Sequence, residues 1–226
     1  MKARDSAAAT AAVADLEPPS LRARAYEEIK RRIITLQYRP GEYLNEAMIS
    51  EQLGIGRTPV HQALDRLMLE DMVEVIPRKG VIVRPVSLDE VLQLIEVRLV
   101  NETHCVALAA QRATEAEVDD MAAILAPTQR LIDRRDIEGL MTLDRDFHCS
   151  ISAAAKNRVL ASILLSLHER SLRFWFISLS DEAHLTEVRD QHVDIHEAIR
   201  ARDGAAASRA MREHIDSFRQ NIMKSV

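Results

Sequence analysis

The chain has 226 residues, 30 Lys and Arg against 35 Asp and Glu, a formal net charge of −5, 47% apolar residues and only 4% aromatic ones. With 6 Gly, 7 Pro and 2 Cys, that composition excludes a disulfide scaffold and disfavours a sandwich, a barrel or a Gly-rich nucleotide-binding sheet; the length suits one large or two modest domains. Net acidity argues against a nucleic-acid partner unless it averages over a local basic surface.

Residues 1 to 20 are Ala-rich, end in Glu17-Pro18-Pro19-Ser20 and hold too little bulky apolar surface to fold, so a disordered tail is expected. Ala7 to Ala14 is interrupted by Thr10 and flanked by Asp5 and Asp15, and no apolar run approaches the ~20 residues that span a bilayer. Neither a signal peptide nor a membrane segment is expected, and a cytoplasmic location follows. Leu21, Tyr26, Ile29, Ile33 and Ile34 predict a first helix, stopped by Arg39-Pro40-Gly41. A second fits Glu46 to Leu53. After Gly54-Ile55-Gly56-Arg57, Thr58 is read as the cap of a third helix with Pro59 at its first position. Alternation at Val73, Val75, Val81 and Val83 around Pro77-Arg78-Lys79-Gly80 predicts two strands, and Arg84 to Ser87 a linker. From Leu88 onward only helices are expected, over about 88–112, 115–135, 138–155, 157–179, 184–203 and 205–224. Thr114 with Glu117 reads as a capping box and Asp203-Gly204 as a helix stop. The fold class is therefore mainly α: a winged helix-turn-helix over 21–85, then an all-helical bundle over 86–226.

In such a module the third helix enters the major groove. Its apolar face is Val60, Ala63, Leu64, Leu67 and Met68; Arg57, Thr58, His61 and Gln62 stand at its amino-terminal polar face. Arg57 can bond guanine bidentately, Thr58 and the free N–H groups of the helix start can hold a phosphate, and Arg78 and Lys79 at the wing tip can reach the backbone or minor groove. Taken singly, these are equally the solvated residues of a small helical domain. Together, Arg39-Pro40-Gly41 with Leu44, the run Ile49 to Leu64 and the Arg78-Lys79-Gly80 turn closely resemble the GntR family of bacterial transcription regulators over residues 22 to 85. The resemblance implies DNA contacts at Arg57, Thr58, His61 and Gly80, where the backbone comes close. Gly56, His61 and Gln62 stand where that family usually has Ser, Arg and Glu. Exchanging Arg for His removes a permanent charge.

In the second half, Asp144 and His148 lie four apart beside the stripe Leu140, Leu143, Phe147 and Ile151, His192 runs with Ile195 and Ile199, and His214 stands among Met211, Ile215 and Phe218. One carboxylate and three imidazoles would suit a divalent ion, Zn²⁺ first, Ni²⁺ or another first-row metal next. Taken alone, each reads first as a core-edge polar residue satisfied by a neighbour, and spacing alone does not choose His192 over His196. Leu88 to Met223 resembles the FCD effector domain of the FadR subfamily through Glu96-x-Arg98-x-x-x-Glu102, Asp144-x-x-Phe147-His148, His192-x-x-Ile195 and Met211-x-x-His214. That resemblance implies the ligand set Asp144, His148, His192 and His214, and a small carboxylate effector at Arg98. An Arg98–Glu102 pair one turn apart is the structural alternative. Arg145, Arg173 and Trp175 are further candidates for the effector's surroundings, Gln191 stands for a more usual Glu, and His61, His104, His168 and His184 match no ligand position.

The expected function is a metabolite-responsive transcription regulator, a repressor, that binds a palindromic operator as a homodimer, with Arg84 to Ser87 as hinge. The alternative is a metal-dependent hydrolase with an accessory DNA-binding domain; a third reading is an architectural DNA binder. Up to Pro85 there are 13 basic and 12 acidic residues, so the acidity belongs to the second half. Arg57, Arg66, Arg78 and Lys79 are expected on the DNA side.

Overall fold

In the computed structural model, residues 19–85, 87–178 and 182–225 are described, and they are helical apart from one small sheet. Helix α1 (Leu21–Ile34) opens after Ser20, whose hydroxyl accepts the Ala23 N–H, and buries Ala25, Tyr26, Ile29 and Ile33. Strand β1 (Tyr43–Leu44) leads to α2 (Glu46–Leu53), which Asn45 caps and Gly54 ends in the left-handed conformation that a Cβ would strain. Helix α3 (Arg57–Leu69) buries Val60, Ala63, Leu64 and Leu67 and packs on α1; each buried Val or Leu contributes about 1.5–3 kcal/mol. β2 (Val73–Ile76) and β3 (Gly80–Val83) then form an antiparallel sheet in the order β1-β3-β2, with Val75 opposite Val81 and Tyr43 opposite Ile82.

Two local expectations are corrected here. The wing has a third strand, because two residues of β1 are too few to show alternation in sequence. Thr58 is not the cap of α3: the helix begins at Arg57 with Gly56 at the cap, and Thr58 and Pro59 occupy its first turn, where a missing N–H breaks no intrahelical bond.

The second half starts with α4 (Leu88–Arg112), whose first turn is capped by the Ser87 hydroxyl. In α5 (Glu115–Leu125) the Thr114–Glu117 capping box is formed. The helix expected over 115–135 is two helices, since Pro127 cannot continue the ladder and α6 (Thr128–Asp133) starts anew. α7 (Ile137–Ala154), α8 (Arg158–Ser178), α9 (Glu182–Arg200) and α10 (Gly204–Ser225) complete the bundle. Asp203 both follows α9 and caps α10, accepting the Ala206 N–H. α10 packs on α4 and α9, and α7 on α4, α5 and α8, around Phe147, Ile151, Ile195, Ile199, Met211 and Ile215. Among the described residues no helix is long and apolar enough to cross a membrane. The expected disordered tail falls on residues 1–18, outside the described residues, as do the side chains of Arg173 and Trp175.

The two halves meet where α1 lies on α8. Lys30, 7% exposed, bonds the Tyr26 hydroxyl at 3.0 Å and the Glu169 carboxylate, and stands 3.6 Å from Glu70. Tyr26 donates to Glu70 at 2.7 Å, and Arg145 Nε donates to the second oxygen of Glu169 at 2.8 Å. A cleft of about 1130 Å³ opens beside this seam.

Candidate functional site

The apolar face of α3 is held against α1, so its other face is left to solvent. Arg57, Thr58, His61 and Gln62 are all exposed there, and Arg78, Lys79 and Gly80 are exposed at the wing turn. Arg78 adopts φ 66° and Gly80 φ 102°. Pro77 before a residue of positive φ is the chemistry of a type II turn, usually completed by Gly or Asn, so Arg78 holds its place at some backbone strain. His61 is the departure with most physical content. Its Nδ1 lies 2.9 Å from Glu46 and its Nε2 3.7 Å from Asp65, and the Glu46 hydrogen bond raises its pKa above 6.5. Arg66 departs from expectation. Its guanidinium lies 3.5 Å over the Tyr26 ring and its Nε donates to Glu70, which ties it to α1.

In the bundle, α7 carries Asp144 and His148 one turn apart, α9 carries His192 and α10 carries His214. All four are buried, and one ligand atom from each lies within 4.8 Å of all the others. Asp144 Oδ1 is 3.2 Å from His192 Nε2 and 3.7 Å from His148 Nε2. Neither Asp144 oxygen, nor Nε2 of His148 or His192, has a hydrogen-bond partner. Burying such atoms unpaired costs about 1–3 kcal/mol each, so the donor set, one atom from each residue, fits a divalent ion.

The outer nitrogens of two of the imidazoles are already held. Glu102 Oε2 stands 2.7 Å from His148 Nδ1, and Gln191 Oε1 stands 3.0 Å from His214 Nδ1, each leaving Nε2 for a ligand bond. Glu102 also accepts from Arg98 Nε at 2.5 Å, so the structural pair is formed, yet Arg98 Nη1 is buried without a partner. Burial opposes charge on Glu102, but Arg98 and His148 outweigh it and hold the carboxyl well below its usual range. Burial likewise opposes charge on His148, but Glu102 and Asp144 outweigh it and raise its pKa above 6.5. Burial would raise Asp144; the imidazoles around it, His148 first, bring it lower instead. His192 and His214 are lowered, chiefly by burial.

Other candidates separate cleanly. His196 Nε2 lies 3.1 Å from the Val118 carbonyl, away from the four. Arg145 is turned to Glu169 at the seam rather than toward the cluster. His104 is exposed, whereas His184 is buried and lies 3.7 Å from Glu187. His168 was passed over in the sequence reading, yet it is buried 3.6 Å from Asp144 with both ring nitrogens unpartnered, and burial brings its pKa down to about 4. Its signal was the apolar stripe Leu160, Leu164, His168 and Leu172. A small cavity of about 10 Å³ lies beside His192, between α6, α7 and α9, with room for one water-sized body.

Comparison with known proteins sets this geometry in a family. Residues 93–217 match the FCD domain, and residues 21–83 match the bacterial regulatory proteins of the gntR family. The chain is 32% identical over 158 residues to the Nta operon transcriptional regulator of Aminobacter aminovorans, covering 67% of this chain and 74% of that one. It is 29% identical over 203 residues to the HTH-type transcriptional repressor GlaR of Escherichia coli K12, covering 84% and 90% of the two chains. Its fold is that of E. coli McbR/YncC, with a TM-score of 0.79, 23% identity and coverage of 92% and 98%. The hydrolase alternative falls, because the family and these relatives are transcriptional regulators and not enzymes. The chain accordingly belongs to the GntR family of bacterial regulatory proteins: a transcriptional regulator with a helix-turn-helix for DNA and an FCD domain for a small-molecule effector.

Proposed function

We propose that this protein is a metal-dependent repressor that binds a palindromic operator as a homodimer, in the cytoplasm, and changes its grip on DNA when a small carboxylate binds. Residues 21–85 read DNA through Arg57, Thr58, His61, Gln62, Arg78, Lys79 and Gly80; residues 86–226 hold the metal and effector and dimerise. The observation that carries the metal part is the compact, buried set of one ligand atom each from Asp144, His148, His192 and His214, in which those of Asp144, His148 and His192 have no hydrogen-bond partner. Zn²⁺ suits one carboxylate and three imidazoles, and Ni²⁺ or another first-row ion would be accepted. Such an ion would supply a fixed positive charge for a carboxylate, and Arg98 Nη1, buried and unpartnered, would give that carboxylate a charge-assisted hydrogen bond. The cavity beside His192 holds no more than a water-sized body, so an effector entering there would have to part α7 and α9. Arg84 to Ser87 is where the two halves would hinge; within it, Val86 lies outside the described residues.

Repression is favoured by the relatives named repressors, GlaR among them. Dimerisation is favoured by the exposed apolar pairs Val97 and Val100 on α4 and Val159 and Ile163 on α8, and by the need of one helix-turn-helix for a second half-site. The test has two arms. Metal analysis of purified protein is expected to give about one ion per chain, and none in His148→Ala or His214→Ala. Gel-shift titration with the chain's own upstream DNA is expected to show salt-sensitive binding far tighter than to random DNA. Unchanged metal content in the variants sinks the ligand set, and equal affinity for random DNA sinks the operator.

A further inference from the structure

Assigning one atom each of Asp144, His148, His192 and His214 to an ion leaves a remainder. The two oxygens of Asp144 face different neighbours: Oδ1 looks toward His192 Nε2 and His148 Nε2, at 3.2 and 3.7 Å, while Oδ2 looks toward His168 Nε2 at 3.6 Å. His168 is 5% exposed, its ring lies 5.6 Å from that of His148, and nothing bonds either of its nitrogens. The compact ligand set does not include it. A neutral imidazole carries one N–H donor and one lone pair. The 3.6 Å gap is a few tenths of an ångström beyond a hydrogen bond, and the terminal torsion of an aspartate is soft enough to close it.

We propose that His168 is a positioning residue of the metal centre: its Nε2–H binds Asp144 Oδ2 and so turns Oδ1 toward the three ligand imidazoles. The role rests on the reading that the cluster holds a metal. It parallels what Glu102 does for His148 and Gln191 for His214, except that here an imidazole orients a carboxylate. As packing alone, His168 would be a poor occupant of the Leu160, Leu164 and Leu172 stripe, since it buries two polar atoms with no return.

The experiment is a competitive titration of the full chain, stripped of metal, with Zn²⁺ and separately with Co²⁺. Wild type, His168→Phe, which keeps a ring without a donor, and His168→Gln, which keeps an N–H, are compared. All three are expected to take up one ion per chain. The Phe variant is expected to bind about 10–100-fold more weakly and to shift the visible Co²⁺ bands, and the Gln variant to restore most of both. Thermal melts of the metal-free variants check that they fold. Wild-type affinity and an unshifted spectrum in His168→Phe overturn the role, as does complete loss of the ion, which would make His168 a ligand. Failure of wild type to take up any ion removes the metal reading itself, and with it this role.

Discussion

Two polar clusters among the described residues are built on opposite plans. At the seam between the halves, Tyr26, Lys30, Glu70, Glu169 and Arg145 satisfy one another. In the bundle, Asp144, His148, His168 and His192 bring polar atoms together and leave them without partners. A satisfied cluster ties elements together, while an unsatisfied one calls for a further partner or a functional reason.

The largest expected effect tests the seam. Lys30→Met leaves Glu169 half-buried with one cation fewer, and unfolding in urea should show a loss of about 3 kcal/mol, the lower end for breaking a buried pair, with metal content unchanged. A loss below about 1 kcal/mol would erase the contrast. Asp144→Asn is the complementary change. With free Zn²⁺ at a hundredfold excess over its Kd, wild type should gain about 2.7 kcal/mol of stability and the variant nothing, while the metal-free proteins melt alike. A variant that fails to fold without metal would place the bundle cluster in the same class as the seam.

A smaller effect concerns pH. The folded pKa of His148 is raised above 6.5, mainly against burial and by Glu102 and Asp144. Its contribution to metal-free stability is therefore full below about 6.5 and is lost as pH rises through the higher folded value. An ion must displace that proton, so the metal-dependent gain in melting temperature should grow from pH 6 to pH 8. A flat profile would refute His148 as a ligand. The smallest effect is at the DNA face, where His61→Arg should tighten operator binding, steepen its salt dependence by about one unit and remove the weakening expected as wild-type His61 loses its proton above pH 6.5. Equal salt slopes would mean that His61 touches no phosphate.

Local structure was largely legible in sequence. The bounds of α2 and α4 and the Thr114–Glu117 box follow from capping residues and 3.6-residue periodicity, whereas α1 ends at Ile34, ahead of the expected stop at Arg39-Pro40-Gly41. The break at Pro127 was missed because periodicity resumes directly after it. Spacing alone did not choose His192 over His196, one turn apart on α9; the choice is made by Val118, 78 positions away, whose carbonyl faces His196. His168 was legible as an imidazole in a leucine stripe, but only the fold sets it beside Asp144. The partner of Lys30 lies 139 positions off, on another half of the molecule, and nothing local announces it.

The seam and the bundle cluster share two helices. Successive helical residues point about 100° apart, so α7 gives Asp144 to the interior and Arg145 to the seam, and α8 does the same with His168 and Glu169. A ligand whose binding shifted α8 would drag the Glu169 carboxylate along Lys30 on the DNA-reading half. Thermodynamic reciprocity then makes the operator itself an effector: whatever factor the ligand imposes on DNA affinity, DNA imposes on the ligand.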